Sequence, residues 1–242
     1  MSEMTSFETV SRDLVRALDL QYEPVGVTLF RKGEPISEGI SFFEGNLKSY
    51  CQALMLAGSG TRLLLTGEKM GCKLGTSVLG LEEETEGYLD DGVLEKYGVG
   101  LFGTEEASAE TILKAAMLEK GKTSAVLIAP LSSFEALPQV VVFTADSEQV
   151  MWLLYALNYE KGGRIDLPQS GGALGGCSDI TVLPLLKNVA NVTFLGLGCR
   201  LKSEIDPCHL MMGVPGIDLQ TLHEHIMDMG KPISMLKNSR RK

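Results

Sequence analysis

The chain holds five cysteines, and four of them, Cys51, Cys72, Cys177 and Cys199, fall into two pairs of one local form. The spacing within a pair is 21 residues for Cys51 and Cys72 and 22 for Cys177 and Cys199. The second member of each pair sits in the same short run, Gly71-Cys72-Lys73-Leu74 and Gly198-Cys199-Arg200-Leu201. A thiolate is both a nucleophile and a soft metal ligand, and its surroundings decide whether it forms. Cys51 and Cys177 fall near predicted helix starts, where unpaired N–H groups and the helix dipole favour the thiolate. Cys72 and Cys199 follow glycine at predicted strand-to-loop junctions, where the bare backbone can approach a bulky inorganic group.

Four such thiolates converging in a glycine-rich, largely apolar surround would suit an iron–sulfur cluster, a [4Fe-4S] cubane, with redox work to do. Zinc is the alternative metal. Structural zinc sites usually carry short Cys-x-x-Cys knuckles, and the chain has none. Two metal-free readings stay open beside these. The cysteines can be small buried hydrophobes, while the loops Gly58-Ser59-Gly60 and Ser170 to Gly176 hold a small anion or metabolite. Or they can work as thiol–disulfide pairs, Cys51 with Cys72 or Cys177 with Cys199.

The elements that must position these residues alternate along the chain. Helical spacing of Phe7, Val10, Leu14, Val15 and Leu18 predicts a helix over 6–20. Pro24 opens a strand from Val25 to Phe30; a helix over 46–57 carries Cys51; a buried strand runs from Arg62 to Thr66; and Cys72 opens a further helix to Leu81. An acidic helix over 87–97 and another over 107–120 follow. Strands at 125–129 and 138–144 lead to a helix over 148–158, capped by Asp146 or Ser147. The glycine-rich loop then leads into a helix that carries Cys177, a strand at 191–195 closed by Gly198-Cys199, and a last helix over 218–228. The pattern predicts an α/β fold with at least partly parallel strands.

The two cysteine segments repeat one order of events: Pro-led strand, cysteine on a helix, turn, strand, Gly-Cys. The offsets are 126 and 127 for the cysteines and 114 for the prolines Pro24 and Pro138. This predicts an internal duplication, two related α/β halves (1–120 with Cys51 and Cys72, 121–242 with Cys177 and Cys199) packed as one globular unit. A pseudo-twofold axis between them would bring four cysteines together.

The formal net charge is −9, with acid gathered at Glu82, Glu83, Glu84 and Glu86. That balance excludes a nucleic-acid partner, which needs a basic footprint. The basic tail from Lys237 to Lys242 reads as a solvated terminus. No apolar run reaches the ~20 residues of a membrane helix, and residues 1–13 lack the pattern of an export signal. A cytoplasmic, reducing setting follows, in which free thiols and metal ligands are more common than structural disulfides. Cys208 and His209 form no pair with the first half. His223 and His225 lie two apart on a helix, do not share a face, and read as surface or partly buried residues. Met211, Met212, Met227 and Met229 read as core filler. No Gly-x-Gly-x-x-Gly fingerprint, P-loop, Gly-x-Ser-x-Gly elbow or His-Glu-x-x-His is present.

Several of these runs resemble one known family. Pro24-Val25-Gly26-Val27, Tyr50-Cys51-Gln52-Ala53, Gly71-Cys72-Lys73-Leu74-Gly75, Gly80-Leu81, Gly175-Gly176-Cys177-Ser178-Asp179 and Met212-Gly213-Val214-Pro215 are similar to the pattern of the uncharacterised bacterial and archaeal family catalogued as domain of unknown function 169. The resemblance covers nearly the whole chain and implies that Cys51, Cys72, Cys177 and Cys199 are the family's motif cysteines, which favours a shared cofactor site; a cluster there would serve a redox partner protein. It carries no activity over. The chain departs from the pattern after Cys199, where Arg200 to Pro207 lacks the family's glycine-containing run, and Cys208 is extra.

Overall fold

The structure is a computed structural model, and it describes residues 5–36, 40–81 and 100–239. The acidic run at 82–86 and the acidic helix expected over 87–97 lie outside the described residues.

Six strands form one sheet in the order β2-β3-β1-β4-β6-β5: β1 Val25–Arg31, β2 Leu63–Leu65, β3 Thr123–Pro130, β4 Val140–Ala145, β5 Asn191–Thr193 and β6 Leu210–Pro215. Every pairing of neighbouring strands is antiparallel, which corrects the expectation of partly parallel strands. The helix between β1 and β2 does return the chain in the original direction. However, β3 then inserts between the two and runs against both, so the β-α-β unit is split. The same happens with β4 and β5, parted by β6. Strand β6 was not expected from the sequence, because its Met211-Met212 step and Gly213 weaken the strand signal. The sheet also runs across the 120/121 division, with β3 placed between β1 and β2.

Period-two alternation sorts the strand residues onto two faces. Val25, Val27, Val126, Ile128, Val140, Val142 and Met211 are buried on one face. Over it lie α2 (Tyr50–Gly58), α3 (Lys73–Val78), a π-helix (Gly175–Val182) with α6 (Leu183–Lys187), and α7 (Leu197–Ser203). Val141, Phe143, Ala145, Met212 and Val214 are buried on the other face. That side is covered by α1 (Phe7–Leu18), α5 (Ser147–Leu157), α8 (Leu219–Asp228) and α9 (Gly230–Ser239). The start of α5 is fixed by a full capping box, with Asp146 accepting from the Gln149 N–H and Gln149 accepting from the Asp146 N–H, both at 2.8 Å.

Helices α3 and α4 (Glu105–Leu113) end short of expectation, and α9 was not expected from the sequence. Helix α4 stops short of residue 120, because the segment after it bonds elsewhere: the Leu118 N–H donates to the Val78 carbonyl at 3.0 Å. At the C-terminus Gly230 does not end the helical region; α9 begins there. Lys237, read as part of a solvated tail, instead donates to the Ala17 carbonyl at 2.8 Å and pairs with Asp19 at 2.6 Å. Among the described residues, no helix is long and apolar enough to cross a membrane.

The π-helix lies directly on the sheet. A Cβ at Gly213 of β6 would collide with the Ile180 carbonyl, a backbone atom with no side chain to swing aside. Gly213→Ala is expected to lower stability by about 1–3 kcal/mol, the usual range for overpacking a core. Gly230→Ala, with open space around it, is expected to change it little. Urea unfolding of the two variants measures the contrast.

Candidate functional site

Cys51 is the second residue of α2, whose first turn is capped by the Ser49 hydroxyl accepting from the Gln52 N–H at 3.1 Å. Cys177 is carried by the π-helix, a wide turn that is rare and tends to mark functional sites. Leu174 precedes it in the left-handed region, at φ 58°. The two elements are tied together: the Tyr50 and Thr181 hydroxyls meet at 3.0 Å, and Thr181 donates to the Gly176 carbonyl at 2.9 Å. Cys72 caps α3, and Cys199 is the third residue of α7. Both Gly-Cys steps therefore stand at helix starts and not at strand-to-loop junctions. A short turn follows each strand, and the chain re-coils at once.

The four sulfurs converge. Cys51 Sγ lies 2.7 Å from Cys199 Sγ, and each of the four thiols is within electrostatic reach of the other three. The close contact joins the first half to the second, whereas the spacing had suggested pairs within each half. Gly176 makes room for it, since a Cβ there would stand 2.6 Å from Cys51 Sγ. All five cysteines are free thiols.

The Cys51 thiol donates to the Cys199 sulfur. That bond and burial hold it well above the ordinary range. Cys199 is pushed down, first by that hydrogen bond, then by the N–H groups of Gly176 and Gly196 and by Lys202 nearby. Burial pushes Cys177 up. It also raises Cys72, against the N–H groups of Gly75 and Leu74 and the charge of Lys202. The Tyr50 phenol is raised by burial as well, against its bond to Thr181. Ionising all four thiols would place like charges together in a desolvated site, which a positive group must offset. A metal centre is such a group and deprotonates its thiols outright. The donor set, the N–H groups facing three of the sulfurs, and the space at Gly176 fit a thiolate-bound group. Among the described residues, no three of His, Cys, Asp and Glu gather closely enough to hold a single metal ion.

The glycine-rich loop leads elsewhere. Its donors turn to a residue of the chain itself: the Ser170 N–H and hydroxyl face Asp179, with the hydroxyl 3.0 Å from Oδ2. Burial still pushes the Asp179 carboxyl up to about 6. In the other loop the Ser59 hydroxyl donates to the Met55 carbonyl at 3.0 Å, and Gly60 closes the turn after α2. Cys208 is exposed, with its N–H donating to Asp206. The three histidines are buried rather than superficial. His223 Nε2 is 3.3 Å from Asp13, and His225 Nδ1 donates to the Ala156 carbonyl at 2.7 Å. Two faces of α8 are covered because it packs against both α1 and α5. Met211, Met212 and Met229 are buried, as the sequence suggests, while Met227 is exposed.

The sequence reading missed Tyr50, Thr181, Asp179 and Lys202. Tyr50 and Asp179 stand within two residues of motif cysteines, and that adjacency was the available signal. In metal-free protein, iodoacetamide is expected to label exposed Cys208 first, then Cys199 and Cys72, and Cys51 and Cys177 last. Removing the donor thiol in Cys51→Ala is expected to move the pH profile of Cys199 labelling upward. Peptide mass mapping of timed reactions reads both.

The chain is similar to an uncharacterised protein of Methanocaldococcus jannaschii, at 26% identity over 217 residues, which are 89% of this chain and 91% of that one. No solved structure matches the chain. The family described as uncharacterised ArCR matches residues 13–225. That span runs from α1 through all four converging cysteines to α8, and the chain belongs to this family, domain of unknown function 169.

Proposed function

We propose that Cys51, Cys72, Cys177 and Cys199 hold an iron–sulfur cluster, a [4Fe-4S] cubane, and that the protein serves electron transfer or an anaerobic enzyme system. The observation that carries this reading is the mutual approach of four thiols drawn from positions as far apart as Cys51 and Cys199. A cubane is broader than a single ion and suits sulfurs that surround a volume rather than a point. When bound, it supplies one-electron redox chemistry. The N–H groups of Gly75, Gly176 and Gly196 and the charge of Lys202 would stabilise the sulfurs' negative charge. Exposed Phe194, Leu197 and Leu201, around half-exposed Cys199, suit the approach of a redox partner. A reducing compartment accords with five free thiols.

The internal duplication belongs to the same proposal. The sheet order reads β2-β3-β1 and β5-β6-β4 outward to inward, with β1 and β4 meeting at the centre. The registers match: Val25 pairs with Pro130 as Val140 does with Pro215, and Leu63 with Ile128 as Asn191 does with Gly213. The Leu131 N–H donates to the Pro24 carbonyl, and the Gly216 N–H to that of Gln139, at 2.8 Å in both. The repeated unit then runs from β1 through β3 and again from β4 through β6, with its boundary in the loop at 134–139. Each unit would give one cysteine from its first crossover and one after its second strand.

A different observation favours a second reading. The Cys51–Cys199 contact of 2.7 Å is close to what a dithiol needs. Two thiols would become a disulfide as two electrons and two protons pass to a disulfide or quinone acceptor.

Anaerobic purification with a visible spectrum and assays of iron, sulfide and zinc is the test. The cluster reading expects a brown protein with matching iron and sulfide, which each single Cys→Ser change at the four positions reduces or abolishes. Full loading in all four variants overturns it. Gly176→Ala, which keeps every cysteine, is expected to lower iron content as well. A colourless protein that forms a Cys51–Cys199 disulfide under mild oxidation, seen by mass mapping, supports the dithiol instead.

A further inference from the structure

The two units differ most in the segment after their second cysteine. The chain between Cys72 and β3 is far longer than that between Cys199 and β6, and it includes α4. Among the described residues, this extra segment packs against the π-helix, where the Ser178 hydroxyl donates to the Ala116 carbonyl at 2.9 Å. Between them lies a cavity of about 480 Å³ lined by Glu110, Thr111, Lys114 and Ala115 on one wall and Ser170 and Asp179 on the other. That volume falls in the range of small-molecule sites, roughly 300–1,000 Å³.

Two buried polar residues lie on this cavity, Ser178, whose hydroxyl is engaged by Ala116, and Asp179, at 7% exposure. An ionised carboxylate has about four acceptor positions. Asp179 receives the Ser170 N–H and a share of the Ser170 hydroxyl. That hydroxyl has one proton and also lies against the Ala173 carbonyl, so its donation is divided. No cationic side chain among the described residues contacts Asp179. The one lysine on the cavity wall, Lys114, is already paired with Glu110 at 2.6 Å, at the exposed rim. Among the described residues the wall thus offers two carboxylates and a single lysine held by one of them. The other donors on it are engaged: Thr111 donates to the Ala107 carbonyl, Ser178 to that of Ala116 and Gln169 to that of Val192, so the open acceptor capacity is that of Asp179.

We infer that this cavity is a binding site for a small organic cation, an ammonium or amidinium compound, with Asp179 as its counter-ion and Ser170 as the residue that positions Asp179. The glycine-rich loop, whose composition suggests an anion cradle, turns its Ser170 donors to Asp179, its Gly175 N–H to the Gly172 carbonyl and its Gly176 N–H to Cys199, so what it presents to the cavity is the Asp179 carboxylate. Cys177 and Asp179 share one π-helix, which places the ligand beside the cysteine site. The inference does not rest on a cluster being bound there.

Three probes of one shape test it: benzamidine, benzamide and benzoate, titrated at pH 8 into full-length protein and followed by amide chemical shifts. Benzamidine is expected to bind at least tenfold more tightly than benzamide, and benzoate to be excluded, with shifts centred on residues 110–116 and 169–179. Asp179→Asn is expected to bring benzamidine down to the level of benzamide. Ala115→Phe, which fills the cavity from a partly exposed wall position, is expected to block both at an unchanged melting temperature, and it carries the test if Asp179→Asn does not fold. Equal binding of the charged and neutral probes, preference for benzoate, no binding at all, or an unchanged preference in Asp179→Asn overturns the inference. Repeating the titration on metal-free Cys72→Ser protein separates this result from the fate of the cluster reading, because the cavity keeps all of its lining residues there.

Discussion

The π-helix touches its neighbours through bare backbone, and the site depends on that contact. Gly213 lets the Ile180 carbonyl rest on β6, Gly175 lies against Thr193 of β5, and Gly176 lies against the sulfur of Cys51. A side chain at any of the three would push the helix off the sheet or away from α2. The bond between Tyr50 and Thr181 holds the remaining side. Cys177 is thus placed by close packing, and so is Asp179, two residues further along and facing another space. One short element sets both the sulfur site and the wall of the adjoining cavity.

Burial and hydrogen bonding divide the four thiols into unequal partners. Cys51 and Cys177 are desolvated and hold their protons, whereas Cys199 has two backbone N–H groups, a donor thiol and Lys202 around it. Without a positive centre Cys199 is the thiol of the four that ionises most readily. With one, the same N–H groups are already oriented toward the added charge. Preorganisation of this kind spares reorganisation on loading.

Much of the architecture was legible from periodicity. The amphipathic α1, the apolar strands β1, β3 and β4, and the capped α5 carry strong local signals, and they form close to their expected bounds. The split of the β-α-β units was not legible, because insertion of β3 and β6 is decided by pairing between distant segments and not by local pattern. Strand β6 was hidden by its own function in packing: Gly213 is there to admit a carbonyl, and a glycine weakens a strand on any propensity scale. For the site, cysteine rarity and spacing pointed to four residues whose sulfurs the fold brings near one another. Which sulfurs would touch could not be read, since Cys51 and Cys199 meet through the packing of α2 on α7 and on the π-helix, elements far apart in the chain. Asp179 was passed over because its meaning lies in the absence of a nearby cation, a property of space and not of order along the chain.

The insertion of β3 between β1 and β2, and of β6 between β4 and β5, has a consequence for the order of synthesis. During elongation on the ribosome, β4 and β5 emerge with a gap between them that only β6 fills, and the bed on which the π-helix lies is missing until Gly213 has been made. Cys51 therefore waits for most of the chain before its partner sulfur is in place. Contacts of such long sequence separation form slowly. Any centre held by these four thiols therefore needs the chain through Cys199 and β6 in place, and no short local segment could fold around it alone.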